Sequence, residues 1–133
     1  MNIGERLHAY LMDMDGQGVL AAYLFGPLAG EEAGQADVDV ALLLDRPTFP
    51  GRSDRGDEAE RLSAELIQVL RRESVAVVVL NDLPHTRARE LIKRGRRFLV
   101  RDDEQVQAFE RDVLLRAAEV EGVPLIQKRP GVG

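Results

Sequence analysis

Apolar residues along the chain follow two rhythms, a helical spacing of three to four residues and short continuous runs. Ile3, Leu7, Leu11 and Met14 keep helical spacing, which predicts an amphipathic helix over residues 3–14. DGQG at 15–18 reads as a turn. The run Val19–Phe25 predicts a strand, the glycine-containing stretch 26–36 a loop, and Asp37–Leu44 a second strand. Residues 46–56 (RPTFPGRSDRG) combine prolines and glycines and are expected to form a loop. Ala59, Leu62, Leu66 and Val69 then line one face of a helix over Asp57–Arg72. Val75–Leu80 (VAVVVL) shows no polar alternation, so a third strand buried on both faces is expected. Pro84 suits the start of a short helix that turns Ala88, Leu91 and Ile92 inward and stops at Gly95. Arg97–Arg101 reads as a short fourth strand. Asp103–Val120 reads as the last helix, with Val106, Phe109, Val113, Ala117 and Val120 as its stripe.

The order αββαβαβα implies one α/β (α+β) domain, a small mixed β-sheet with flanking helices. It covers residues 1–120 and leaves 121–133 as a C-terminal tail without a clear pattern. At 133 residues, 44% of them hydrophobic, the chain can bury a core of its own.

Composition removes several function classes. Without cysteine there are no disulfides and no thiolate metal sites, which agrees with a reducing cytoplasm. No apolar run approaches the roughly 20 residues of a membrane span. The opening MNIGERLHAY is charged and lacks a leader's apolar core. A net charge of −5 argues against broad nucleic-acid binding through phosphates. Charge is also unevenly placed. Residues 30–45 carry Glu31, Glu32, Asp37, Asp39 and Asp45 with no base, whereas residues 85–101 carry Arg87, Arg89, Lys93, Arg94, Arg96, Arg97 and Arg101 against Glu90 alone. Such poles suit a polar partner or ligand; two solvated faces are the simpler reading.

The acidic pole contains the most informative chemistry. Asp37 and Asp39 lie two residues apart at the start of a strand, so their side chains share a face. Their Cα atoms are then roughly 6.6 Å apart, close enough for two carboxylates to converge on one cation or a pair of cations. Val38, Val40, Leu42 and Leu44 take the opposite face and pack inward. D-x-D alone is a weak signal, since paired acids are common on exposed strand faces. Its setting after a strand and a glycine-rich loop strengthens it.

In that setting the chain resembles the minimal nucleotidyltransferases of the DNA polymerase β superfamily. The family's signature is Gly-Ser after the first strand, then Ala-Arg-Gly, then Ser-Asp-x-Asp opening the second strand. Here Phe25-Gly26-Pro27-Leu28-Ala29 matches the start, Gly30 the later glycine, and Ala36-Asp37-Val38-Asp39-Val40 the acid pair. VAVVVLNDLP and ELIKRGRRFLVRDDEQVQAFERDVLLRA resemble the family's third strand and C-terminal half, so the likeness spans about residues 1–120. The resemblance implies that Asp37 and Asp39 bind magnesium, which holds the triphosphate of ATP or another nucleotide. It implies that Gly26, the residue at Pro27 and Gly30 approach the phosphates. A third carboxylate on the third strand shares a metal and serves as base. It further implies a protein partner, a HEPN-type toxin, towards which such transferases act as antitoxins and adenylylate their partner.

The sequence departs from that pattern in three places. Pro27 replaces the serine, removing a hydroxyl and a backbone N–H. The arginine expected between Ala29 and Gly30 is absent. Ala76 stands where the third carboxylate aligns, and the next acid along the chain, Asp82, lies beyond the strand. Transfer chemistry of this kind rests on positioning and charge stabilisation, so these losses together imply a degenerate site acting by contact with a partner. The alternative is a working magnesium-dependent adenylyltransferase that draws a substitute acid from Glu31, Glu32, Asp82 or a partner chain. A nucleotide-sensing module is a third reading. His8 and His85 lack metal-ligand spacing, Arg52 and Arg55 on the expected loop could reach phosphates, and Tyr10 and Tyr23 suit core packing. A homodimer through an unpaired sheet edge or the last helix is also compatible with the sequence.

Overall fold

The computed structural model describes residues 2–13, 18–25 and 38–122. The elements run α1 (Ile3–Asp13), β1 (Val19–Phe25), β2 (Val38–Leu44), α2 (Arg52–Leu70), β3 (Val75–Val79), a single 3-10 turn (Leu80–Asp82), α3 (His85–Arg94), β4 (Arg96–Val100) and α4 (Asp103–Val120). This is the expected order, with one mixed sheet in the spatial order β3-β2-β1-β4. β1 and β2 pair antiparallel from Val19↔Leu44 to Phe25↔Asp39, and β4 pairs antiparallel with the other side of β1. β3 runs parallel to β2, with Val38 opposite Val75 and Leu42 opposite Val79.

Strand alternation sorts the core into two layers. Val38, Val40, Leu42 and Leu44 of β2 pack with Leu7 and Leu11 of α1 and Leu62, Leu66 and Leu70 of α2. The intervening Ala41 and Leu43 pack with Tyr23, with Leu91 of α3, and with Val106 and Val113 of α4. Two helices therefore cover each sheet face, and β2 is buried by both. At about 25 cal/mol per Å² of apolar surface, each fully buried leucine contributes some 2 kcal/mol towards the cost of ordering the chain.

Two expectations are corrected. α2 begins at Arg52, five residues before the periodicity suggests, although Gly56 inside it costs about 1 kcal/mol relative to alanine. Gly51 caps the start, and its N–H donates to the Asp54 carboxylate at 2.9 Å. The early start is carried by Arg55, which is buried and bonded to groups distant in sequence. β3, in turn, is an edge strand rather than a fully covered one. Ala76 is exposed and Val77, Val78 and Val79 are half-buried. Its apolar run serves α2 on one side and leaves the outer edge open among the described residues. The end of β4 shifts by one residue from the expected Arg97–Arg101, and α4 keeps the expected bounds. Asp102 caps α4 by accepting from the Gln105 N–H at 3.0 Å; the Gln105 side-chain amide, donating at 2.8 Å, and then that N–H hold its carboxyl below the ordinary range.

Candidate functional site

β2 and β3 lie side by side, and the site forms at their N-terminal ends. Asp39, half-buried, is the second residue of β2 and shares its face with Ala41 and Leu43. Its neighbour on β1 is Phe25 and its neighbour on β3 is Ala76. In-register neighbours across a ladder present their side chains to the same face roughly 5 Å apart. The position on the third strand that addresses Asp39 is therefore residue 76, where the side chain is a single methyl. Asp37, Gly26, Pro27 and Gly30, the remaining residues of the expected site, lie outside the described residues.

The opposite ends of the same two strands hold a dense polar network. Asp82, in the turn after β3, binds Arg55 through both carboxylate oxygens, at 2.9 Å from Nε and 2.8 Å from Nη2. Arg55 also donates through Nη1 to the carbonyls of Phe49 and Pro50, at 2.9 and 3.1 Å. The hydrogen bonds from Arg55 hold the Asp82 carboxyl below the ordinary carboxylate range against partial burial, with Arg52 and Arg46 adding to the effect. Beside it, Asn81 accepts from the Leu44 N–H and donates to the Leu44 carbonyl, both at 2.9 Å. Its amide replaces the strand partner that β2 lacks at that point. Asp82 lies six residues beyond Ala76, more than about 10 Å along the sheet from Asp39. Placed there, both its oxygens are engaged by Arg55, away from Asp39's end of the strand pair. Arg55, expected as a loop residue within reach of phosphates, is instead an interior clamp between α2 and the end of β3.

The basic segment 85–101 is largely spent on internal partners. Arg87 pairs with Glu90 at 2.6 Å, Arg89 with Glu121 at 2.8 Å, and Arg97 with Glu110 at 3.1 Å. Arg101 donates to the Leu11 carbonyl. Lys93 and Arg94, exposed at the end of α3, remain without an ion pair among the described residues. Of the other candidates, His8 is exposed and lines a hollow of about 400 Å³ with Glu5, Arg96 and Phe98. His85 is the first residue of α3. Tyr10 packs against the core from a half-buried position, and Tyr23 is fully buried. The Tyr23 hydroxyl donates to Glu110, which Arg97 also binds. Burial first, and then the Glu110 carboxylate, push the phenol's ionisation up. Among the described residues no three His, Cys, Asp or Glu side chains gather as a metal site, and no helix is long and apolar enough to cross a membrane.

Sequence reasoning located Asp39 and Ala76 and missed the Arg55–Asp82 and Asn81–Leu44 contacts. Those join residues 27 and 37 positions apart, and nothing local marks them.

Comparison with known proteins agrees with this fold. Residues 5–104 match the family model described as polymerase beta, nucleotidyltransferase. Among curated proteins, no sequence matches the chain significantly. Among solved structures, a tri-AMPylated Shewanella oneidensis HEPN toxin in complex with MNT antitoxin offers a similar chain. It has 16% identity and a TM-score of 0.63 over 90% of this chain and 87% of that one. A toxin-antitoxin with AMP-PNP gives 17% identity and a TM-score of 0.65, covering 90% of each chain. The toxin-antitoxin MntA-HepT gives 15% and 0.65, over 90% and 88%. At these identities the likeness establishes a shared fold.

Proposed function

The chain belongs to the polymerase beta nucleotidyltransferase family, and on that premise we propose that it is an antitoxin-type protein with a degenerate active site, acting by binding a HEPN-type toxin in the cytoplasm. The observation that carries this reading is the pairing of Asp39 with Ala76. The family's third carboxylate shares a metal ion and accepts the proton of the attacking hydroxyl. A methyl group at that place does neither. Asp37 and Asp39 alone make a donor set that suits one magnesium ion and does not suit a shared pair. If nucleotide binding is retained, these two aspartates hold the metal. Gly26, Pro27 and Gly30 would then be the residues that approach the phosphates of ATP. Magnesium would then supply charge neutralisation for the triphosphate. The partner assignment is supported by the solved relatives, in which an MNT antitoxin is bound to a HEPN toxin.

The second reading is an active adenylyltransferase that passes AMP from ATP to its partner, and the retained Asp39 at the head of β2 favours it. It needs a carboxylate from outside β3. Asp82 is committed to Arg55, which leaves Glu31, Glu32 or a residue of the partner.

Calorimetry with ATP and magnesium on the wild type and on Asp37→Ala, followed by a transfer assay on the purified toxin, separates the two. Under the first reading, nucleotide binding is weak or undetectable and Asp37→Ala/Asp39→Ala still captures and neutralises the toxin. Incorporation of labelled AMP into the toxin that disappears in the double variant would establish the second.

A further inference from the structure

The two edges of the sheet differ in how they are guarded. β4 carries Arg96 and Arg97, exposed, and its pairing with β1 is interrupted by a register shift. β3 has no charge, proline or bulge in Val75–Val79 and ends its sheet. Natural edge strands usually carry one of these protections, so an edge with none is suited to receive another strand. The backbone phase is fixed by two observations. The Val38 N–H donates to the Ser74 carbonyl at 3.3 Å, so in the parallel ladder residues 74, 76 and 78 turn their peptide groups towards β2. Val75, Val77 and Val79 therefore turn theirs outward, and the Ser63 hydroxyl indeed reaches the Val75 carbonyl from outside the ladder. Val77 is the middle residue of β3. Two copies related by a two-fold axis at Val77 would exchange N–H···O bonds at 77↔77 and, on either side, bond the Val75 N–H of one to the Val79 carbonyl of the other, the Val75 carbonyl being held by Ser63.

The surroundings of the edge obey the same symmetry. Glu73, exposed, precedes the strand. Arg52, exposed, lies at its far end, where its guanidinium is 3.4 Å from the Asp82 carbonyl and the Asp82 carboxylate is already neutralised by Arg55. An antiparallel pair sets Glu73 of each copy beside Arg52 of the other, twice per dimer. Gly56, Ala59 and Ser63 of α2 border the groove of about 460 Å³ beside β3, together with the longer Arg52 and Glu60. We propose that the β3 edge is a self-association surface, joining two copies into one continuous sheet through antiparallel β3–β3 pairing about Val77. This inference stands apart from the toxin-binding reading, because it uses neither the acid pair nor the partner.

Sedimentation velocity of the full chain, with a charge-swap series, tests it. At about 100 µM protein, where any Kd tighter than that gives mostly dimer, the wild type should sediment as a dimer. Arg52→Glu and Glu73→Arg should each weaken association about tenfold or more, and Arg52→Glu/Glu73→Arg should restore it. Val77→Pro removes the outward N–H and should give monomer while circular dichroism stays native. A monomeric wild type at that concentration would overturn the proposal. So would a dimer that survives Arg52→Glu and Val77→Pro unchanged, since it would use another face.

Discussion

The paired strands β2 and β3 end in two very different ways. At their C-terminal ends nearly every polar group has a partner: Asp82 holds Arg55 with two bonds, and Asn81 closes the end of β2 with two more. At their N-terminal ends Asp39 has Ala76 as its neighbour across the ladder. The acid after β3 is bound into the fold, where an interior ion pair is costly to break, and the β3 residue beside Asp39 is an alanine.

That contrast can be tested by breaking one end and rebuilding the other. The largest effect is expected from Asp82→Ala, which leaves Arg55 buried with its charge uncompensated. Urea denaturation should show a loss of about 3 kcal/mol. A loss below about 1 kcal/mol, as at an exposed pair, would mean that the clamp is peripheral.

Acid should reproduce part of that loss. The folded-state pKa of Asp82 is depressed, so its contribution is fully present above the unfolded value of 3.8 and fades as pH falls through the lower folded value. Denaturation midpoints of the wild type should therefore drop below about pH 4 more steeply than those of Asp82→Asn.

Asn81→Leu should cost about 1–2 kcal/mol by stranding the Leu44 N–H and carbonyl, measured in the same way. At the other end, Ala76→Asp should change stability by only about 0.5 kcal/mol without metal, through repulsion from Asp39. Magnesium should then raise the melting temperature of this variant more than that of the wild type. A wild type stabilised by magnesium to the same extent would show that the donor set is complete without residue 76. A gain rather than a loss is expected from Gly56→Ala. Nothing lies within 4 Å of the added methyl, so a gain of about 0.5–1 kcal/mol is expected from the thermal midpoint.

What could be read from the chain depended on how local each feature is. β1 and α4 have the bounds that the apolar pattern gives them, because a strand's run and a helix's stripe are properties of neighbouring residues. The α/β order and the acid pair's second member, Asp39, were legible for the same reason. So was the alanine at position 76, because residue types are written in sequence even when their geometry is not. The tertiary structure decided the remainder. Periodicity does not distinguish an apolar edge strand from a central one, and only the sheet order β3-β2-β1-β4 exposes VAVVV. The helical state of Arg52–Gly56, a stretch of poor propensity, comes from Arg55 meeting Asp82 across the fold. The basic run 85–101 looked like a binding face in one dimension. In three, Glu110 and Glu121 of the last helix and its end neutralise two of its arginines. Charges and backbone groups acquire their meaning from what stands opposite them, and that is set by long-range packing, which no local window of sequence contains.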